Sequence, residues 1–136
     1  MKKNILLRIG ITLMMLCLMV PLSSCKESKE EEKKSYAMIS QEGAKKLMDS
    51  KEDIVILDVR TYEEYAEGHI EGAIQISHEE IEEKAEALLT QKDKTILVYC
   101  RSGRRSKIAA EALVNMGYTD VREFGGITDW QYGTVK

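Results

Sequence analysis

Residues 95–106 read Thr-Ile-Leu-Val-Tyr-Cys-Arg-Ser-Gly-Arg-Arg-Ser. A run of strand-forming residues ends at Cys100, and a helical pattern begins a few residues later. A thiol at such a strand–loop–helix junction faces backbone N–H groups and the positive end of the helix dipole. Because the neighbouring guanidinium groups add to that field, the thiolate is favoured over the thiol. The stretch therefore predicts a nucleophilic sulfur in an anion-binding loop.

Strand and helix patterns alternate on both sides of this stretch. Strands are predicted at residues 36–39, 53–59, 73–76, 95–99 and 121–124, and helices after the cap Ser40 and at residues 62–67, 78–89 and 104–116. Such alternation indicates right-handed crossovers between parallel strands. We therefore expect an α/β fold: a three-layer sandwich with a mainly parallel sheet of about five strands and helices on both faces. Sites in such sheets lie at the carboxyl ends of the strands, where Cys100 is found.

The first 24 residues have the parts of a signal peptide. Residues 1–8 are basic, residues 9–20 are almost wholly apolar, and small residues precede Cys25. The apolar run is shorter than the roughly 20 residues that span a bilayer comfortably. Leu-Ser-Ser-Cys at residues 22–25 resembles the lipobox of bacterial lipoproteins, in which cleavage leaves a lipid-modified cysteine. We expect a protein that is lipid-anchored at Cys25 outside the cytoplasm of a bacterium; a plain secretory peptide and an uncleaved anchor are the alternatives.

A charge-balanced tether precedes a single small acidic domain in the predicted organisation of the chain. Cys25 and a polar tether form residues 25–35, in which four lysines balance four glutamates, and one domain is predicted at residues 36–136. The whole chain has 20 basic and 23 acidic residues. Removal of the signal peptide takes away three basic residues and leaves a formal charge of 17 − 23 = −6. An acidic body argues against a nucleic-acid partner and makes the basic loop after Cys100 a local feature.

Cysteine usage singles out one thiol. Cys17 lies in the predicted signal peptide and Cys25 is the predicted lipidation site, so Cys100 is the one thiol of the predicted domain. An intramolecular disulfide is then excluded in that domain. An unpaired cysteine in an exported protein indicates reactivity. The alternative is a structural cysteine buried in a strand.

A series of short segments follows in a fixed order between about residue 36 and residue 130. They are Leu57-Asp58-Val59-Arg60, Glu64-Tyr65, Gly68-His69-Ile70-Glu71-Gly72-Ala73-Ile74, Cys100-Arg101-Ser102-Gly103-Arg104-Arg105-Ser106, Gly117-Tyr118, Gly125-Gly126 and Trp130. In their order and spacing they resemble the single-domain rhodaneses, a family of sulfurtransferases. The resemblance implies a cysteine that attacks the outer sulfur of a donor such as thiosulfate, becomes a persulfide and passes the sulfur to a nucleophilic acceptor.

The loop after the cysteine is expected to bind the anionic donor. The predicted donor-binding residues are Arg101, Ser102, Gly103, Arg104 and Arg105. Their backbone N–H groups form a cradle, and Arg105 is the first choice for the sulfonate of the donor, with Arg101 second. Gly103 is expected to permit a conformation or close approach that a side chain would block. Ser106 is expected to cap the helix, or else to hydrogen-bond the sulfur.

Two further residues are expected to support this loop. Asp58 and Arg60 end the neighbouring predicted strand, and an ordinary buried ion pair is the alternative for them. Sulfur transfer requires no activated water, so neither a metal nor a cofactor is predicted. The expected partners are a small anionic sulfur donor, a thiol or cyanide-like acceptor and, through the lipid, a membrane. We expect a monomer.

Other thiol chemistries are consistent with part of the pattern. Cysteine-dependent phosphatases and arsenate reductases also close a loop with arginine, but such phosphatases need it six positions after the cysteine, where this chain has Ser106. A non-enzymatic persulfide carrier or binding module would use the same thiol. A dithiol oxidoreductase is disfavoured because the predicted domain has no second cysteine.

Overall fold

Five parallel strands form one sheet in the computed structural model, which describes residues 34–50 and 52–136. The strands are β1 (Ala37–Met38), β2 (Ile54–Asp58), β3 (Ile74–Gln75), β4 (Thr95–Cys100) and β5 (Val121–Gly126). Their order in the sheet is β1-β5-β4-β2-β3, so the strand that carries Cys100 lies at the centre. The predicted parallel sheet of five strands is confirmed.

Four helices connect these strands. They are α1 (Gln41–Asp49), α2 (Tyr62–Glu67), α3 (Ile81–Leu88) and α4 (Arg104–Asn115). Ser40 caps α1 through the N–H of Gly43, as predicted, and Thr61 and Glu64 form a capping box at the start of α2. The helix predicted from residue 78 begins instead with a 3-10 turn over His78–Glu80, and α3 starts only at Ile81.

The side chains of β4 alternate between two apolar layers. Ile96, Val98 and Cys100 pack in one layer with the buried faces of α3 and α4. Leu97 and Tyr99 pack on the opposite face of the sheet, in a layer that also includes residues of α1 and α2. A strand covered on both faces is apolar along its whole length, which explains the continuous run that ends at Cys100. The three-layer sandwich predicted from the sequence is therefore confirmed.

The predictions for the amino terminus lie outside the described residues. The signal peptide at residues 1–24, the lipidation site Cys25 and the tether up to residue 33 belong to that part of the chain. Within residues 34–50 and 52–136, none of the helices combines the length and the apolar character that are needed to cross a bilayer.

A buried ion pair at the end of β2 is hydrogen-bonded to Tyr99 near the end of β4. Asp58 is fully buried and Arg60 almost so; the Arg60 guanidinium binds the Asp58 carboxylate at 2.6 Å and the carbonyl of Gly68 at 2.8 Å. The Tyr99 hydroxyl donates to Asp58 at 2.7 Å and accepts the N–H of Ile70 at 3.1 Å. The hydrogen bonds described for Asp58 and Arg60 do not include residues 101–105. The hydrogen bonds of the pair hold the chain before β3, and support of the cysteine loop by Asp58 and Arg60 stays a prediction.

Replacement of Tyr99 by phenylalanine tests this network. Tyr99→Phe leaves a buried carboxylate without one donor and the Ile70 N–H without its acceptor. We expect the free energy of unfolding to fall by about 1–3 kcal/mol, measured by urea denaturation. Tyr62→Phe is the matched control because the Tyr62 side chain is exposed, and its effect is expected to stay within about 0.5 kcal/mol. Equal effects of the two substitutions would contradict this account.

Candidate active site

Cys100 is the last residue of β4, and its side chain is only 1% exposed. The chain turns sharply after it, so that the N–H of Gly103 points back at the sulfur with an N···Sγ distance of 3.0 Å. Helix α4 begins at the next residue, Arg104, on the same side of the sheet. The predicted strand–loop–helix junction is confirmed, with the sulfur inside the loop rather than at its surface.

Two glycines make this tight loop possible. Gly103 has φ +98°, a left-handed conformation that a side chain would strain, as predicted for this position. Gly126, at the end of β5, lies directly beneath the loop; a Cβ atom there would be 2.1 Å from the carbonyl oxygen of Arg101. Thr128 binds the same Arg101 carbonyl through its N–H and its hydroxyl group. The loop is thus fixed from below by the backbone that follows β5.

The loop changes the acidity of the thiol. Burial by itself raises the pKa of Cys100, because a buried thiolate loses its hydration. The contact with the Ser106 hydroxyl and hydrogen bonds from the N–H groups of Ser106, Gly103 and Ser102 outweigh burial and lower the pKa of Cys100 below its usual range. The site therefore stabilises a thiolate nucleophile by hydrogen bonds.

Ser106 does not cap the helix, contrary to the role expected first. Gly103 occupies the cap position of α4, and no side chain caps that end. The hydroxyl of Ser106 lies instead 3.5 Å from the Cys100 sulfur, 3.0 Å from the Gly103 carbonyl oxygen and 2.6 Å from the Glu123 carboxylate. The second expectation, a hydrogen bond with the sulfur, is the one that the structure supports.

Arg105 is already paired within the protein. Its two terminal nitrogens bind the two carboxylate oxygens of Glu64 at 2.7 and 2.8 Å. This bidentate pair lowers the pKa of Glu64 to about 2, although partial burial opposes the shift; the N–H of Thr61 contributes as well. Arg105 is the first choice for the sulfonate of the donor, and in the structure its charge is balanced by a carboxylate throughout the neutral range.

The remaining predicted loop residues lie at the surface. Arg101, Ser102 and Arg104 are exposed, and so is the nearby Lys107. Ser102 and Gly103 also line a groove of about 350 Å³ between the loop and the start of α1. Arg101, Arg104 and Lys107 are therefore solvent-exposed cations close to Cys100 in the chain, and their charge favours the approach of an anion.

Glu123 is a site residue that the sequence predictions missed. It lies on β5, is 2% exposed, and its Oε1 atom accepts both the Ser106 hydroxyl and the N–H of Gly125. Strand periodicity contains a signal for it, because Val121 and Glu123 are two residues apart and therefore share one face of β5. A carboxylate on an inward strand face needs a polar partner. In this structure the Ser106 hydroxyl, next to the cysteine loop, is that partner.

Comparison with known proteins places the chain in a family. The model of the rhodanese-like domain family matches residues 40–132. Thiosulfate sulfurtransferase PspE of Escherichia coli is 41% identical over 80 residues, which cover 59% of this chain and 77% of PspE.

Two further similarities extend this result. The putative sulfur carrier protein YrkF of Bacillus subtilis is 38% identical over 105 residues; the match covers 76% of this chain but only 56% of YrkF. A solved structure of a rhodanese with anions from E. coli is 40% identical, with a TM-score of 0.57, and covers 60% of this chain and 96% of that one. The order of the strands, the cysteine loop at the end of β4 and the match over residues 40–132 agree, and the chain belongs to the rhodanese-like domain family.

Proposed function

We propose that this chain is a sulfurtransferase that moves sulfane sulfur from a thiosulfate- or persulfide-type donor to a thiophilic acceptor through a persulfide on Cys100. The observation that carries the proposal is the buried sulfur, which accepts the Gly103 N–H at 3.0 Å and has a lowered pKa. Those hydrogen bonds stabilise a thiolate, the form of cysteine that acts as a nucleophile.

The transfer consists of two displacements at sulfur. The thiolate of Cys100 attacks the outer sulfur of thiosulfate, a new S–S bond forms, the S–S bond of the donor breaks, and its electron pair leaves with sulfite. A nucleophilic acceptor then attacks the outer sulfur of the persulfide, and Cys100 leaves as thiolate. The backbone N–H groups at the start of α4 can stabilise negative charge on the sulfur in both steps.

The donor anion is bound, in this proposal, by the loop and its rim. Arg101 and Arg104 are exposed in and directly after the loop, and Ser102 and Gly103 supply backbone N–H groups. Arg105 contributes less to donor binding than an unpaired arginine would. A sulfonate must compete with the Glu64 carboxylate for the two terminal nitrogens of Arg105. We therefore expect weak affinity for thiosulfate and better use of donors with less charge.

A persulfide carrier is the second candidate function. It is favoured by the burial of Cys100 and by the pairing of Arg105, since both features slow turnover with a small dianion. YrkF, which is called a putative sulfur carrier protein, is similar to this chain over 105 residues. A carrier forms the same Cys100 persulfide but releases it to a particular partner rather than to free acceptors.

The place of action is a further part of the proposal. The basic residues 1–8, the apolar residues 9–20 and the Leu-Ser-Ser-Cys sequence at residues 22–25 support a bacterial lipoprotein anchored at Cys25. In that case sulfur transfer occurs outside the cytoplasm, with the domain held near the membrane by the charged residues 26–35.

Mass spectrometry after incubation with thiosulfate tests the persulfide. We expect the protein without its first 25 residues to gain the mass of one sulfur atom, and cyanide or a thiol to remove it. Cys100→Ser is the matched control and gains nothing, because the nucleophile is absent. Hydrolysis of an aryl phosphate by the unmodified protein without any sulfur gain would instead support phosphatase chemistry.

Steady-state kinetics of Glu64→Gln tests the role of the ion pair. Release of Arg105 makes its guanidinium available to the donor, so KM for thiosulfate is expected to fall about three- to tenfold with a smaller change in kcat.

Two controls separate the effects of this substitution. Glu63→Gln removes a neighbouring exposed charge from the same helix, and Thr61→Ala removes the other part of the capping box without disturbing Arg105. Neither is expected to lower KM as Glu64→Gln does. An unchanged or increased KM in Glu64→Gln would show that Arg105 does not bind the donor.

Metabolic labelling with a fatty acid tests the anchor. We expect the full-length chain, produced in a bacterium that processes lipoproteins, to incorporate radiolabelled fatty acid and to fractionate with membranes. Cys25→Ala removes the acceptor sulfur and is expected to abolish the label, whereas Cys17→Ala leaves it intact because that residue lies within the segment that is removed. Labelling that persists in Cys25→Ala would overturn the lipoprotein assignment.

A further inference from the structure

Glu123 is a buried carboxylate that the two displacements do not use. It is 2% exposed on the face of β5 that packs against α4. One of its oxygens accepts the Ser106 hydroxyl at 2.6 Å and the Gly125 N–H at 2.8 Å. A buried carboxylate needs compensation for its lost hydration, and these two donors provide it. One of these two donors, the Ser106 hydroxyl, also lies 3.5 Å from the sulfur of Cys100.

The Ser106 hydroxyl has a single hydrogen and three neighbours. The Glu123 oxygen at 2.6 Å is nearer than the Gly103 carbonyl at 3.0 Å and the Cys100 sulfur at 3.5 Å. A hydroxyl that donates to Glu123 can only accept from the thiol, whereas a hydroxyl that donates to the sulfur stabilises the thiolate. Glu123 therefore competes with Cys100 for one hydrogen.

We propose that Glu123 is a positioning residue that sets the basicity of the Cys100 sulfur by holding the hydroxyl hydrogen of Ser106. The proposal rests on the sulfurtransferase function and adds a residue to it. While Glu123 holds the hydrogen, the thiolate receives hydrogen bonds from the backbone alone and stays more basic. When the hydroxyl turns towards the sulfur, the thiolate becomes less basic.

Basicity affects the two half-reactions in opposite directions. Attack on the donor forms a bond from the thiolate to the outer sulfur and expels sulfite, and a more basic thiolate attacks faster. Transfer to the acceptor breaks that bond and returns the electron pair to Cys100, and a less basic thiolate leaves faster. A hydroxyl that can turn between Glu123 and the sulfur provides both conditions in one site.

In the part of the chain that the structure describes, other charged groups also lie near Cys100, Ser106 and Glu123. Arg105 of α4 interacts electrostatically with Cys100 and is itself paired with Glu64 of α2. Lys107 of α4 and Asp129, in the 3-10 turn after β5, line the groove that Glu123 also borders. These groups remain in place in the variants described next, so they act equally on each variant and its parent.

The first measurement is the pH dependence of alkylation at Cys100 in the full-length chain. Iodoacetamide is the probe, and peptide mass spectrometry follows Cys100 separately from the other cysteines. In Glu123→Gln a neutral amide oxygen holds the Ser106 hydrogen less strongly, so we expect the midpoint to shift down by about one pH unit. Glu111→Gln, an exposed glutamate of α4, is the control and is expected to leave the midpoint unchanged. An unchanged or raised midpoint in Glu123→Gln would overturn the proposal.

The second measurement asks whether the effect passes through Ser106. In the Ser106→Ala background, Glu123→Gln is expected to shift the midpoint by less than half as much, because the shared hydrogen is absent. A shift that persists in full would mean that Glu123 acts by its charge alone, and the positioning role would be wrong. The Ser106→Ala chain also supplies a result if Glu123→Gln fails to fold. A hydroxyl whose hydrogen is held by Glu123 donates nothing to the sulfur, so its loss is expected to leave the midpoint unchanged, and a raised midpoint would overturn the proposal.

Single-turnover rates complete the test. Above the midpoint, Glu123→Gln is expected to slow sulfite release from thiosulfate about threefold and to speed sulfur transfer from the persulfide to cyanide about threefold. Changes in the same direction would contradict the proposal, since a merely structural role impairs both steps. The alkylation profile requires no sulfur transfer. If the unmodified chain forms no persulfide, the proposed function fails while the titration still decides the role of Glu123.

Discussion

The contact between the Arg101 carbonyl and the end of β5 is the constraint on which the site depends. The cysteine loop can lie against Gly126 only because that residue has no side chain. Thr128 then binds the carbonyl, and the turn that follows brings the Gly103 N–H to the sulfur. Any side chain at position 126 would displace the loop backbone, and with it the donors that lower the pKa of Cys100.

An irregularity in the sheet produces this contact. Val98 of β4 pairs with Glu123 of β5, and Cys100 pairs with Gly126. Between these two pairs β4 advances by two residues and β5 by three. The extra residue in β5 is accommodated at Gly125, which has φ +95°. Such bulges change the direction of a strand where pairing ends, and here the bulge brings Gly126 beside the loop while Glu123 keeps its inward position.

The sequence was sufficient for the parts of the fold and site that depend on local patterns. The continuous apolar run at residues 95–99, the cap Ser40 and the glycine at 103 each have a local cause, and the parallel sheet follows from the alternation of strands and helices. The nucleophile was also predictable because a polar loop follows a buried strand. The mainly parallel sheet with helices on both faces needed no information beyond this alternation.

The interactions that the sequence did not predict join residues far apart in the chain. Glu64 and Arg105 are 41 positions apart, and Ser106 and Glu123 are 17 apart. The sequence of charges does not specify which glutamate pairs with which arginine. The pairing depends on how the crossover connections place the helices around the sheet. The bulge in β5 was equally hidden, because Gly125-Gly126 is compatible with several turns.

Two carboxylates therefore limit how positive the site is. Glu64 neutralises the arginine that follows the loop, and Glu123 occupies the hydroxyl nearest to the sulfur. A site built to hold a small dianion tightly would leave both groups free, since each unpaired donor adds to the binding of negative charge. Their engagement favours a thiolate that is reactive towards sulfur but binds free anions weakly. Such a site suits donors and acceptors that are held in place by contacts outside the loop, around the exposed Arg101 and Arg104.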